Sequence, residues 1–254
     1  MENKTNRIAV LVDGDNAKAK LLKPILEEVS KYGKVTIRRI YGDWTTPQMN
    51  SWKDTLNDLS FSPIQKFSYT TGKNSTDSSL IIDAMDILHD GTVDGFCIVS
   101  SDSDYTGLAK RIREEGVFVM GIGEKKTPNA FIQSCEIFTF CENISVELRV
   151  PEPVQRNTKS TPKKSSSLPG LDVELINKAF EMSAYEGGET HISSIGSNLR
   201  KIDPSFDPRA YGFKTLTQLF QSLQAYEVIN NEVGGLNHPL VRKKSKRPAG
   251  RHNH

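Results

Sequence analysis

Apolar residues along the chain alternate between two kinds of run. Ile8 to Val12 is short, uninterrupted and rich in β-branched residues, the pattern of a strand buried on both faces of a parallel sheet. "KVTIRRIY", "DGFCIVS", "GVFVMGI" and "EIFTF" repeat it, and "FSPIQKF" is a weaker version that Pro63 demotes to an edge. Helical spacing separates these runs. Leu21, Leu22, Ile25, Leu26 and Val29 share one side of residues 17–30, where Pro24 kinks or delays the helix and Gly33 ends it. "TPQMNSWKDTL" reads as a short helix with Pro47 near its start. Residues 77–89 carry Leu80, Ile81, Ala84, Met85 and Leu88 at helical spacing, and residues 104–115 form a further helix. "TPNAFIQSC" is a short one, with Thr127 as cap and Pro128 at its first position. Strands alternating with helices predict an α/β domain with a mainly parallel sheet flanked by helices.

The pattern changes after residue 149. Residues 150–170, "VPEPVQRNTKSTPKKSSSLPG", are rich in Pro, Ser, Thr and Lys and read as a flexible linker. A second unit over 171–233 follows, with helices at Asp172–Tyr185, around His191–Lys201 and around Thr215–Leu223, then "YEVINN" and a Gly-Gly turn. Three helices and a short hairpin predict a small winged helix-turn-helix. Residues 234–254, with "RKKSKR", are expected to be a basic disordered tail.

Charge follows this division. Residues 1–150 hold 18 Lys+Arg against 21 Asp+Glu, and residues 151–254 hold 15 against 10. A basic second part hints at nucleic acid. Cys97, Cys135 and Cys141 have neither a pairing count nor zinc spacing. No apolar run is long enough to span a membrane, and the polar start MENKTNR lacks the core of a signal peptide. A cytoplasmic chain without membrane contact is expected.

Two strands end in carboxylates. "VLVDGDN" leaves the sheet at Asp13, and "IVSSDSD" leaves it at Asp102 and Asp104. Parallel strands end on one edge, so these groups can converge where open α/β sheets bind ligands. Asp77, opening the helix within "KNSTDSSLIIDAMD", can face the same edge, with Asp83 and Asp86 further along. Clustered carboxylates repel without a partner. A hard divalent cation, Mg²⁺ or Mn²⁺, supplies one, and such a site suits phosphodiester cleavage. The plainer readings are turn and cap roles: Asp15 and Asp43 as turn residues, one of Asp102 and Asp104 as a cap, Asn16 as cap or ligand-orienting group.

Three motifs in order, "VLVDGDN", then "KNSTD" with a following "IID", then "IVSSDSDYTGLAKRIREEGVFVMGIG", resemble the NYN domain, a branch of the PIN-like nucleases, over about residues 6–142. The resemblance implies a PIN-like fold and metal-dependent ribonuclease activity. Its acidic positions fall on Asp13, Asp77, Asp102 and Asp104, with Asn16 in the first motif. Ser101 stands where many relatives have Gly, and Asn74, Ser75 and Thr76 separate Lys73 from Asp77 where many have Gly and Val. "HISSIGSNLRKIDPSFDPRAYGFKTLTQLFQSL" resembles the LOTUS, or OST-HTH, domain, chiefly through Tyr211–Leu216. That likeness implies a winged helix that binds RNA or a protein partner.

For RNA phosphates the candidates are Lys73, Lys125, Arg209 and Lys214. Lys125 and Lys126 precede a helix start, and Arg209 and Lys214 flank the third helix of the second unit. Arg38 and Arg39 adjoin on a strand and face opposite ways. Tyr41 and Trp44 lie at a strand end, where they could stack on bases or pack in the core. A dehalogenase-type phosphatase shares Asp13-Gly14-Asp15 but needs Thr or Val where Ala17 stands, and the signals of a response-regulator receiver are not found in order. The expected function is a metal-dependent endoribonuclease with an RNA-binding module, with Asp13 and Asp102 as the chief metal ligands and Asp77 and Asp104 completing the site directly or through water. The competing class is a non-catalytic RNA-binding or scaffold protein on the same fold.

Overall fold

The computed structural model describes residues 6–67, 75–147, 170–184 and 188–244, and the chain divides into two compact units between Val154 and Gln155. The expected linker lies almost wholly outside the described residues.

The first unit runs β1 (Arg7–Asp13), α1 (Leu22–Val29), β2 (Lys34–Gly42), α2 (Lys53–Leu59), β3 (Ser62–Gln65), α3 (Ser75–Asp90), β4 (Gly95–Val99), α4 (Thr106–Glu114), β5 (Phe118–Gly123), α5 (Asn129–Ser134), β6 (Ile137–Phe140) and α6 (Cys141–Glu147). The six strands are parallel, in the order β3-β2-β1-β4-β5-β6. The uninterrupted apolar strands are explained by two cores, one on each face. Val10, Val12, Cys97 and Ile122 meet Leu22, Ile25 and Val29 of α1, Leu56 of α2 and Ile144 of α6. Ala9, Leu11, Phe96 and Ile98 meet Leu80 and Ala84 of α3, Leu108 and Ile112 of α4, and Phe131 of α5. β3 lies at the edge, as Pro63 requires.

Helix boundaries shift where the chain opens in a 3₁₀ turn. Residues 19–21, 47–52 and 103–105 are such turns, and Pro24 sits in the first α-turn of α1, where its missing N–H costs nothing. The Thr127 cap is not formed. Its hydroxyl turns back to the Glu124 carbonyl at 2.6 Å, and Pro128 becomes the N-cap of α5 without a side-chain bond.

The second unit contains α7 (Val173–Glu181), β7 (Glu189–His191), α8 (Ile192–Ile202), α9 (Leu216–Ser222), β8 (Tyr226–Ile229), β9 (Glu232–Val233), β10 (Leu236–Asn237) and β11 (Leu240–Lys243). Asp172 and Thr215 cap α7 and α9 through their side chains. β9 and β10 form the hairpin around Gly234 and Gly235. The boundary expected at residue 233 is corrected. β11 is the middle strand of an antiparallel sheet, β7-β11-β8, and its Val241 is fully buried in the core with Ile176, Ile195, Leu219 and Tyr226. The basic residues Arg242 and Lys243 are the strand's outer positions, paired with Glu189, Glu227 and Glu181.

Candidate active site

The strand order reverses between β1 and β4, and the crevice beyond their carboxyl ends is where a doubly wound sheet binds ligands. Asp13 ends β1 in register with Tyr41 of β2. Asp102 and Asp104 follow β4, Asp102 as N-cap of the 3₁₀ turn Ser103–Tyr105 and Asp104 within it, and Asp77 lies in the first turn of α3.

Asp77, Asp102 and Asp104 each offer a carboxylate oxygen, and these atoms lie within 4.8 Å of one another. Asp102 also caps the turn, accepting from the Asp104 amide at 3.0 Å. Capping and clustering are therefore compatible in one side chain.

Asp13 sits deeper, only 1 % exposed. One of its oxygens accepts from Asn16 Nδ2 and Ser100 Oγ, both at 2.8 Å, and the other accepts from the Asp15 amide at 3.2 Å. Asn16 thus orients Asp13, and Asp15 is exposed in the turn. Ser100 Oγ in turn accepts from the Asp102 amide at 3.1 Å, so one buried hydroxyl ties the ends of β1 and β4 together. The sequence signal for Ser100 was a polar residue closing an apolar strand.

The electrostatics match this crowding. Burial raises the Asp13 carboxyl above the usual range, partly offset by its bonds from Asn16 and Ser100. Burial also raises Asp77; its bond from Tyr105 opposes the rise, and the charges of Asp13, Asp102 and Asp104 add to it. The Tyr105 phenol is fully buried, donates to Asp77 Oδ1 at 2.6 Å, and is pushed far up by burial and by the charge of Asp13, so it stays protonated.

Asp83 is drawn into a different cluster. Arg39 and the Tyr41 hydroxyl both donate to it, anchoring α3 to β2. Tyr41 is fully buried, which rules out base stacking by its ring, and the Trp44 indole donates to the Ile64 carbonyl at 3.0 Å. Arg38, on the other face, donates to the Leu59 carbonyl.

The residues expected to meet RNA divide. Lys73 lies outside the described residues. Lys125 is exposed, with its amide bonded to Glu142, while Lys18 and Lys126 both pair with Glu124 near the same edge. Lys214 is exposed beside the start of α9. The Arg209 guanidinium grips both oxygens of Asp207, at 2.7–3.0 Å, and its side chain is 12 % exposed, so it fixes the turn before α9.

The family model described as the NYN domain matches residues 7–145. The chain belongs to the NYN-domain family. The OST-HTH/LOTUS domain model matches residues 165–238, so a LOTUS domain follows the NYN domain. No sequence among curated proteins matches the chain. Solved structures similar to parts of it include a protein of unknown function from Vibrio parahaemolyticus, 20 % identical, covering 55 % of this chain and 95 % of that one with a TM-score of 0.47. Two solution structures match shorter stretches. One is a fragment of a Chromobacterium violaceum protein (32 % identity, 32 % and 88 % coverage, TM-score 0.26). The other is an uncharacterized protein from Nitrosomonas europaea (24 % identity, 37 % and 97 % coverage, TM-score 0.29). The acidic crevice therefore belongs to the NYN domain. Among the described residues no helix is long and apolar enough to cross a membrane.

Proposed function

We propose that this NYN–LOTUS protein is a metal-dependent ribonuclease that cleaves RNA internally, with the LOTUS domain as an RNA-binding module. The observation that carries this reading is the meeting of Asp77, Asp102 and Asp104 oxygens within 4.8 Å at the switch point of the sheet. An all-carboxylate donor set fits Mg²⁺ or Mn²⁺, which prefer hard oxygen ligands and complete their shells with water and substrate phosphate. Such an ion, when bound, makes water a better nucleophile and stabilises the leaving oxygen of a phosphodiester.

The chain's own groups have distinct tasks. Asp77, Asp102 and Asp104 would hold the ion. Asp13 brings a fourth negative charge from below; a carboxylate has about four acceptor directions, and three are filled by protein donors, which leaves one. Asn16 and Ser100 fix its orientation. Lys125, with Lys18 and Lys126, offers positive charge to the RNA backbone along the same edge, and Lys214 does so on the LOTUS domain.

The test is hydrolysis of single-stranded RNA by the purified protein. Cleavage should require Mg²⁺ or Mn²⁺ and vanish with chelator. Full activity in excess chelator sinks the metal reading, and no cleavage with either ion returns the protein to the scaffold class.

A further inference from the structure

We propose that Tyr105 is a positioning residue of the carboxylate site, holding Asp77 in the orientation that lets it share an ion with Asp102 and Asp104. The inference rests on the metal-dependent reading above and concerns a group outside the acidic set.

Three observations support it. The first is connectivity. Asp77 is carried by α3, whereas Asp102 and Asp104 are carried by the turn after β4, and the Tyr105 hydroxyl bridges the two elements by donating to Asp77 Oδ1 at 2.6 Å. The tyrosine belongs to the same 3₁₀ turn as Asp104, so moving the donor means moving that turn.

The second is rigidity. The Tyr105 ring is fully buried, 6.3 Å from Phe131 between centroids, and Phe131 packs edge-on against Phe138 at 5.8 Å. A donor fixed by a packed core selects one carboxylate rotamer far better than a surface side chain does.

The third is charge. Lys or Arg at this position would neutralise Asp77 and compete with a cation for it. A phenol is an uncharged donor: it occupies one acceptor direction and leaves the full negative charge in place. The usual effect of such outer contacts is to orient a ligand, and their loss costs about 10–100-fold in metal affinity.

A merely structural hydroxyl, satisfied by whichever acceptor is near, predicts a stability loss instead. The two are separated by comparing Tyr105→Phe with Asp83→Asn. Phenylalanine keeps the ring in its core and removes only the donor. Asp83→Asn loosens the same helix through Arg39 and Tyr41, away from the acidic group.

Mn²⁺ binding to the intact protein is measured by calorimetry, with thermal melts in chelator alongside. We expect wild type to bind Mn²⁺, Tyr105→Phe to bind about tenfold or more weakly while remaining folded, and Asp83→Asn to melt earlier with its Mn²⁺ affinity within about twofold of wild type. RNA cleavage by Tyr105→Phe should be recovered in part by raising Mn²⁺, with KM for RNA unchanged. Equal Mn²⁺ affinity in Tyr105→Phe and wild type overturns the proposal, because the hydroxyl then positions nothing. Equal weakening in both variants also overturns it, because loosening α3 is then sufficient. Absence of Mn²⁺ binding by wild type overturns the metal reading itself, a failure distinct from the other two.

Discussion

Replacing Asp102 with Asn should push stability and activity in opposite directions. Asn keeps the side-chain oxygen that caps the Ser103–Tyr105 turn, and it is as good a cap as Asp. What disappears is one negative charge within 4.8 Å of two others, on Asp77 and Asp104. At that separation each pair costs about 0.9 kcal/mol even in a water-like dielectric. Losing two pairs is then worth roughly 1.7 kcal/mol, of which about half survives at 0.15 M salt. The variant should melt about 2–4 °C above wild type in chelator. The sign with pH follows from Asp77. Its carboxyl is raised in the folded protein, so ionising it costs stability as pH rises through that raised value, and the charge of Asp102 is one cause. The advantage of Asp102→Asn should therefore be present at neutral pH and fade as the solution is acidified through the carboxylate range. Added Mn²⁺ should reverse the ranking, since an ion that binds only the folded state stabilises wild type more. RNA cleavage should fall by two or more orders of magnitude, about 3 kcal/mol of transition-state stabilisation. Melts from pH 4 to 7.5 in chelator and in Mn²⁺, with single-turnover rates, give all four readings. A variant that melts below wild type in chelator at neutral pH would show that mutual repulsion is not what the site holds in check.

Asp13→Asn should also lose two or more orders of magnitude in cleavage, but its gain in chelator should be smaller, because one end of the amide must face a donor now served by a carboxylate oxygen; melts and single-turnover rates check both. Asp15→Asn, at an exposed turn position, should leave cleavage within a few-fold of wild type in the same assay. Removing residues 151–254 should spare the catalytic step and make RNA binding weaker and less steeply salt-dependent, read from affinities at several salt concentrations. Gly14→Ala should destabilise the NYN domain by about 1–3 kcal/mol, measured by denaturant unfolding, since a Cβ there meets the Tyr41 carbonyl oxygen at 2.7 Å and Met49 Cε at 2.8 Å.

β1, β4 and β5 were legible because both faces are buried, which leaves no polar position inside the runs to blur them. β11 was not. Only Val241 of its four residues is fully buried, and Arg242 and Lys243 on the outer positions look like the start of a basic tail. α6 escaped notice for a similar reason, with Ile144 buried in the core and Cys141 half-buried against it. At the site, Asp77, Asp102 and Asp104 could be read from strand ends and a helix start, since topology brings those positions to one edge. The depth of Asp13 and its link through Ser100 could not, because both depend on how β1 and β4 are paired. The bond from Tyr105 to Asp77 joins separate elements with no spacing rule behind it. The pairing of Arg209 with Asp207 was not legible, because a charge after proline says nothing of a carboxylate two residues earlier that matches the guanidinium fork.

The position of β1 between β2 and β4 has a bearing on how the protein is made. Parallel neighbours cannot be joined by a tight turn, so the chain must complete β2, β3 and α3 before β4 can lie beside β1. Asp13 is made before Ser100, Asp102 and Asp104, which arrive only after that long excursion, and pairing of this kind is slow to form. A chain that ends between α3 and β4 holds Asp13 and Asp77 but lacks Asp102 and Asp104, which follow β4. The acidic crevice is thus an outcome of folding, and recovery of RNA cleavage during refolding should trail the pairing of β1 with β4 and never precede it.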